Sequence, residues 1–254
     1  MKGVVLAGGL GTRLRPLTLI TNKHLLPVFN QPMIFYPIKT LLRAKIDEIM
    51  IVTGGPHAGH FISVLQNGQH LGIKHLEYAY QEKEGGILDA LRLAEDFADG
   101  KPITVILGDN CTDADISKPV RQFKKGAMVF LKKVASPARF GVPVFEPIDK
   151  TEKVTKITPK THRIVKIEEK PKKPKSEYAV TGLYIYDFHI FEFIKKCQPS
   201  PRGELEITDA NNLYIQDKAL QWTELEGFWQ DAGTFESLFK VNAYWAKKHG
   251  ITFE

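Results

Sequence analysis

Short β-branched runs alternate with helix-period patterns through the first half of this chain, and that rhythm constrains its fold more than any other feature. In order they are GVVLAG (3–8), PMIFYPIKTLLRA (32–44), EIMIVTG (48–54), HFISVLQ (60–66), HLEYAYQ (75–81), ILDALRLAEDFA (87–98) and ITVILGDN (103–110). Repeats of this kind imply a mostly parallel, doubly wound α/β sheet. Ligands of such sheets bind in the crevice beyond the carboxyl ends of the strands. The residues that directly follow the apolar runs, Gly8 to Arg13, Gln81 and Asp109, therefore carry the first functional expectation.

The second half changes character. FGVPVFEP (140–147), KVTKITPK (153–160), HRIVKIEEKP (162–171) and AVTGLYIYD (179–187) read as strands separated by turn residues, with helices near Phe188–Lys196 and Ile207–Asp217. This predicts a β-rich lobe packed on the first sheet. Gly233 and Thr234 open a last amphipathic helix whose apolar stripe is Leu238, Phe239, Val241, Tyr244 and Trp245. With 254 residues the chain has room for one large domain rather than two ordinary ones. We expect a nucleotide-binding half over 1–135, a second half over 136–233 and a C-terminal helix over 234–254.

Charge narrows the partners. The net charge is +6, but Lys and Arg are interleaved with Asp and Glu almost everywhere, with no coherent basic stripe and no aromatic platform motif. No nucleic-acid partner is expected, and a small phosphorylated substrate accounts for the balance. Within Lys170–Lys175 (KPKKPK), Lys172, Lys173 and Lys175 read as a solvated loop. Cys111 and Cys197 stand far apart in no redox or metal spacing, as free thiols do in a reducing compartment. The start of the chain runs straight into a strand with no signal-peptide core, and no stretch reaches membrane length, so a cytoplasmic protein with no membrane partner is expected.

The strand GVVLAG feeds Gly8, Gly9, Leu10, Gly11, Thr12 and Arg13, a loop whose backbone amides can approach phosphate oxygens without a Cβ in the way. Its spacing is neither a dinucleotide fingerprint nor a Walker A loop, and a tight strand-to-helix turn reads equally well from the glycines alone. Arg13 and Lys23 add cations that could neutralise charge on an α-phosphate and on departing pyrophosphate, or could simply be surface charges. Asp109, delivered to the crevice by ITVILG, suits Mg²⁺, which is held by one or two carboxylates plus substrate phosphates. A lone Asp there could equally cap a turn.

The string GGLGTRLRPLT (8–18) followed by NKHLLPV (22–28) resembles the signature of the sugar-phosphate nucleotidylyltransferases. YQEKEGGILDAL, VILGDN, RFGV, IEEKPKKPKS, YAVTGLYIYD, SPRGELEITD and FWQDAG look like blocks of the glucose-1-phosphate thymidylyltransferase family, and they occur in that family's order across nearly the whole chain. The resemblance implies a Rossmann-like fold in which the added lobe binds sugar. It also implies a reaction that joins dTTP, or UTP, to glucose 1-phosphate and releases pyrophosphate, with Mg²⁺ as cofactor.

Residue by residue, the resemblance implies catalytic roles for Arg13, Lys23 and Asp109, and a nucleotide site of Leu6, Gly8, Gly9, Gly11, Thr12, Arg13, Gln81, Gly86 and Asp109. Gln81 would pair with the pyrimidine edge, since an amide both donates and accepts. For the sugar phosphate it gives Gly141, Glu169, Lys170, Val180 and Arg202, although Glu169 and Lys170 could instead be a weak surface ion pair. Asp231, in FWQDAG, is the second metal carboxylate alongside Asp109.

The chain departs from the family at Asn22, where longer members carry Ser, at the residue after Trp229, and in ending soon after its last helix. It resembles the shorter subgroup, which puts a regulatory nucleotide-sugar site in doubt and leaves a homo-oligomer open. Two rivals stand beside the thymidylyltransferase reading: a uridylyltransferase acting on a hexose 1-phosphate, and a nucleotide-sugar sensor that has lost turnover.

Overall fold

The computed structural model describes residues 1–149 and 156–251. Its strands are β1 (Lys2–Ala7), β2 (Pro27–Val28), β3 (Gln31–Pro32), β4 (Glu48–Gly54), β5 (His75–Gln81), β6 (Ile103–Leu107), β7 (Asn110–Thr112), β8 (Ala127–Lys133), β9 (Gly141–Pro147), β10 (His162–Glu169), β11 (Tyr178–Tyr186), β12 (Leu220–Glu224) and β13 (Trp229–Asp231). Its helices are α1 (Phe35–Arg43), α2 (Ala58–Leu65), α3 (Ile87–Arg92), α4 (Glu95–Ala98), α5 (Ser117–Gln122), α6 (Ile190–Lys196), α7 (Ile207–Gln216) and α8 (Phe235–Lys248).

Seven strands form the central sheet in the order β12-β8-β11-β6-β1-β4-β5. β1 pairs parallel with β4 and β6, β4 with β5, and β12 with β8, while β11 alone runs antiparallel to β6 and β8. Alternation along β1 explains why this sheet must be covered on both faces. Val4 and Leu6 pack into a cluster with Leu88, Leu91, Ile190, Phe191 and Tyr214 from α3, α6 and α7. Val5 and Ala7 pack into the opposite cluster with Ile38, Leu41, Phe61 and Leu65 from α1 and α2. Each such side chain, removed from water, contributes about 1.5–3 kcal/mol, so strands apolar on both faces have no stable solvated alternative.

The expected β-rich lobe is smaller than the sequence pattern suggested. Of the segments expected in it, only those that form β9 and β10, paired antiparallel, make a ribbon outside the central sheet among the described residues. AVTGLYIYD joins that sheet as β11, and every residue of β11 is buried, which fits a central strand rather than a half-solvated one. KVTKITPK is not a strand over residues 156–160, and its first three residues lie outside the described set. Pro159 lacks an amide proton for a ladder, and Thr158 and Thr161 close a turn instead, with Thr161 N donating to Thr158 O at 3.0 Å.

The last helix forms where expected, under a capping box in which Ser237 N donates to Thr234 Oγ1 at 3.2 Å and Thr234 N to Ser237 Oγ at 3.0 Å. Val241 and Trp245 are buried, but Phe239 is 71% exposed and leaves the stripe. Leu238, Val241 and Trp245 fall at i, i+3 and i+7, whereas Phe239 lies about 100° round the helix from Leu238. The buried face packs on Leu14, Leu26, Met33, Tyr36, Cys111 and Ala232, so α8 backs the glycine-rich loop and the β7–β13 ribbon.

Candidate active site

Several components of the site begin at strand ends. β1 delivers the loop 8–11, where Gly11 adopts φ 64°, and a Cβ there would stand 2.9 Å from Lys23 Cβ and 3.0 Å from Thr18 Cγ2. Only glycine fits that left-handed turn against that neighbour. Thr18 Oγ1 donates to Gly11 O at 2.9 Å, and Leu10 N donates to Glu84 Oε1 at 2.9 Å, which tie down both flanks of the loop. Arg13 rides on the short 3₁₀ turn Thr12–Leu14, and the burial of Leu14 turns the guanidinium outward.

Lys23 opens another 3₁₀ turn, Lys23–Leu25, capped by Asn22, whose Oδ1 accepts from His24 N at 3.0 Å. Lys23 Nζ meets Asp109 Oδ2 at 2.6 Å, with both side chains nearly enclosed. Burial alone would push the Asp109 carboxyl up, but the Lys23 ammonium, with its charge and its hydrogen bond, holds it down at about 2. His24 is fully enclosed beside this pair, and burial followed by the Lys23 charge drives its imidazole down to about 3. It is neutral at physiological pH, with Nδ1 set against Asn22 Oδ1 at 2.7 Å.

Asp231 comes from far along the chain, and the β7–β13 ribbon explains how it arrives. Asp231 pairs with Asn110, and Ala232 N donates to Asp109 O at 2.9 Å. The two carboxylates share one space: a Cβ on Gly233 would stand 3.5 Å from Asp231 Oδ2, 3.6 Å from Asp109 Oδ2 and 3.0 Å from Arg13 Nη2. Burial, then the Asp109 charge, pushes Asp231 up, against the pull of Arg139 and Arg13. Among the described residues no group of three or more His, Cys, Asp or Glu could hold a metal. The site instead offers two carboxylates, Asp109 buried and Asp231 partly so, the donor set that suits a hard cation carried in by phosphates.

The other half of the crevice is built on β9, β10, β11 and α7. A Cβ on Gly141 would stand 3.3 Å from Ile167 Cγ2 and 3.4 Å from Thr208 Oγ1, so glycine lets β9 approach closely there. Glu169 Oε2 accepts from Thr208 Oγ1 at 2.7 Å, and its Oε1 lies 3.4 Å from Lys170 Nζ. Lys170 adopts φ 42°, a conformation that costs a side-chain-bearing residue on the order of 1–3 kcal/mol. Arg202 Nη2 sits 2.6 Å from Glu206 Oε1 and 3.8 Å from Glu169 Oε1.

Two adjoining cavities join these parts. One, of 440 Å³, is lined by Leu6, Gly8, Gly9, Gly11, Thr12, Arg13, Lys23, Gln81, Gly86, Asp109, Glu169 and Lys170. The other, of 590 Å³, shares Arg13, Asp109, Glu169 and Lys170 and adds Gly141, Val180, Arg202 and Asp231. Every residue expected at the site therefore lines one or both of these cavities. A larger cavity of 710 Å³ under the β9–β10 ribbon contains none of them. The paired and shifted titratable groups His24, Asp109 and Asp231 line the two smaller ones.

Sequence reading missed several members of the crevice. Arg139 Nη2 reaches to 3.7 Å from Asp231 Oδ2, and its signal was its place directly before Phe-Gly in RFGV. Thr208, which holds Glu169, and Asn110, whose Nδ2 donates to Thr181 O at 2.6 Å beside the Gly182 bend, lie inside the blocks SPRGELEITD and VILGDN but carried no assigned role. Gln81 was expected to donate and accept toward a base, but both of its amide hydrogens are already engaged within the protein. Lys172, Lys173 and Lys175 are exposed, as the solvated-loop reading expected.

The carboxyl ends of the sheet thus present a glycine loop, a Lys–Asp pair and a second carboxylate, an arrangement able to hold phosphates and a hard cation. Residues 2–248 match the family model described as nucleotidyl transferase, and the chain belongs to that family. It is 40% identical over 250 residues to the glucose-1-phosphate thymidylyltransferase of Neisseria meningitidis, covering 96% of this chain and 82% of that one. It is 36% identical over 249 residues to the glucose-1-phosphate thymidylyltransferase of Mycolicibacterium smegmatis, with the same two coverages, 96% and 82%. A Bacillus anthracis structure solved with sucrose superposes with TM-score 0.86 at 46% identity, over 100% of this chain and 97% of that one. A UDP-glucose pyrophosphorylase complexed with UDP-glucose shares the fold at TM-score 0.79 and 23% identity, over 97% and 98%.

Proposed function

We propose that this chain is a glucose-1-phosphate thymidylyltransferase, transferring the deoxythymidylyl group of dTTP to glucose 1-phosphate to give dTDP-glucose and pyrophosphate. The observation that carries this reading is the Lys23–Asp109 pair at 2.6 Å, set in a crevice with Arg13 and Asp231, in a chain 40% identical to an enzyme of that name. A phosphate oxygen of the sugar 1-phosphate attacks the α-phosphorus in line. The new P–O bond forms as the bond from the α-phosphorus to the bridging oxygen breaks, and pyrophosphate leaves with that electron pair.

A phosphate monoester is already a competent nucleophile, so the protein needs no general base, and its work is positioning and charge stabilisation. The amides of Gly8, Gly9, Gly11 and Thr12 cradle the triphosphate, while Leu6, Gln81 and Gly86 hold the base. Arg13 and Lys23 take up charge developing on the α-phosphate and the leaving group, and loss of one such group costs on the order of 10²–10³ in rate. Asp109 and Asp231 would hold Mg²⁺, which when bound supplies Lewis-acid neutralisation of phosphate charge. Gly141, Glu169, Lys170, Val180 and Arg202 receive the sugar phosphate, with Glu169 accepting from hexose hydroxyls and the two cations meeting its phosphate.

The test is pyrophosphate release by purified protein with glucose 1-phosphate and Mg²⁺, comparing dTTP with UTP, alongside Asp109→Asn. Release with dTTP that disappears in the variant supports the assignment. UTP is expected to be used as well, because one methyl group gives only about 1–3 kcal/mol of discrimination. Nucleotide binding without release from any sugar phosphate would instead make the protein a sensor.

A further inference from the structure

Gln81 closes β5 at the rim of the nucleotide cavity and is almost wholly buried. Its Nε2 donates one hydrogen to Gly86 O at 3.2 Å and the other to Asp89 Oδ2 at 2.8 Å. A carbonyl and a carboxylate only accept, so turning the amide over would set its oxygen against two acceptors. The orientation is therefore fixed by chemistry. Both donors are consumed inside the protein, and Oε1 is left on the side of the glycine loop, 2.5 Å from where a Cβ on Gly8 would stand.

The carboxylate that fixes Gln81 is itself fixed. Asp89 Oδ1 takes Arg92 Nη2 at 2.9 Å one turn along α3, and the Asp89 side chain is only 14% exposed. A Cβ at position 85 would lie 2.6 Å from the Asp89 carboxyl carbon, so Gly85 leaves that space to Asp89. Gly86 O, the second acceptor, is held by a stitch to the far side of the crevice, where Leu205 N donates to Gly85 O at 2.7 Å and Leu88 N to Leu205 O at 3.2 Å.

We propose that Asp89 is a specificity-determining positioning residue, which makes Gln81 an acceptor-only reader and so selects bases that present a ring N–H to it. This deepens the function proposed above and rests on the nucleotide site assigned there. Thymine and uracil offer N3–H to an acceptor. Cytosine in the same pose offers a lone pair, and an acceptor facing a lone pair leaves both unsatisfied in a desolvated pocket. A glutamine free to turn its amide would donate to cytosine instead and would lose this discrimination.

The test measures the affinities of dTTP and dCTP by isothermal titration calorimetry in the presence of Mg²⁺, for the wild type and for Asp89→Asn. An asparagine can present either its oxygen or its NH₂ to Gln81, so both amide orientations become available. The expected result is a fall of at least about tenfold in the dTTP-to-dCTP affinity ratio, with dTTP weakened and dCTP strengthened. Loss of general structure would weaken both nucleotides alike. A folded variant with an unchanged ratio overturns the proposal, and if Asp89→Asn melts at room temperature the same comparison is made on Asp89→Ser. A wild type that prefers dTTP yet releases no pyrophosphate removes the enzyme reading and leaves this inference standing. A wild type that binds both nucleotides equally removes this inference alone.

Discussion

Gly233→Ala is the most discriminating perturbation of the site, because it adds one methyl group at the point where three charged groups converge. The new Cβ would stand 3.0 Å from Arg13 Nη2, 3.5 Å from Asp231 Oδ2 and 3.6 Å from Asp109 Oδ2. Gly233 does not lie in the left-handed region, so alanine fits its backbone. The tightest contact is the far end of an exposed, flexible arginine, which can move aside. The fold should therefore tolerate the change within about 1 kcal/mol, partly offset by the lower chain entropy of alanine in the unfolded state. Catalysis should not tolerate it. A guanidinium displaced by even a fraction of an ångström, and a methyl beside both carboxylates, should lower kcat/KM on the order of 10²-fold. Pyrophosphate release measured across a range of Mg²⁺, alongside thermal melting, reads both quantities. Activity within about threefold of wild type at an unchanged Tm would show that the transferred charge does not pass between Arg13 and the two carboxylates. A melting point lower by more than about 5 °C would show that the space is structural rather than catalytic.

Lys23→Met should abolish most turnover and also destabilise the protein by about 3 kcal/mol, because it strands a buried carboxylate. Adding Asp109→Asn should then recover part of that loss in Tm without restoring activity, and failure to recover would mean that the pair at 2.6 Å contributes no net desolvation cost. Asp113 accepts from Phe228 N at 2.7 Å, from Tyr244 Oη at 2.5 Å and from Lys248, which pins the β13 approach to α8. Asp113→Ala should cost about 2–3 kcal/mol, or roughly 5–10 °C in Tm at this chain length. Burial pushes the Asp113 carboxyl up, but those donors outweigh it and hold the group below its ordinary range. Its contribution is therefore fully present above about pH 4 and is lost as acid takes the pH down through the lower folded value. Melts of wild type and variant should converge in acid, and a gap that persists there would refute the assignment.

Local signals carried most of what the sequence told. β1, β4 and β6 are apolar on both faces and the half-buried edge strand β5 still reads as a short β-rich run, so all four announced themselves, and the residues that follow each run fall at the sheet's carboxyl edge because parallel strands all end there. That is why Gly8 to Arg13, Gln81 and Asp109 were legible without any tertiary information. β11 was read as a strand but placed in the wrong layer. Its continuous burial was visible as an unbroken apolar run, whereas its antiparallel insertion between β6 and β8 depends on partners far away in the chain. KVTKITPK failed for a local reason, since Pro159 and the Thr158–Thr161 turn outweighed the β-branched composition over its described residues.

The limits at the site follow from the same division. Composition marks Asp231 only as a carboxylate near a tryptophan, and the family resemblance alone paired it with Asp109. The physical cause of that pairing is a short ribbon, Asn110 against Asp231, joining segments that no periodicity links. Asp89 shows the limit more sharply. On the sequence it is one acid in an ordinary helical pattern, with Arg92 at i+3 suggesting nothing beyond a surface ion pair. Its second oxygen, turned toward Gln81, changes what that glutamine can offer a base from donor and acceptor to acceptor alone. Donor and acceptor capacity belongs to a residue type, but the share of it left for a ligand is decided only after the fold has used the rest. The positions of polar residues at strand ends can therefore be read from a sequence, while the hydrogens they have free cannot.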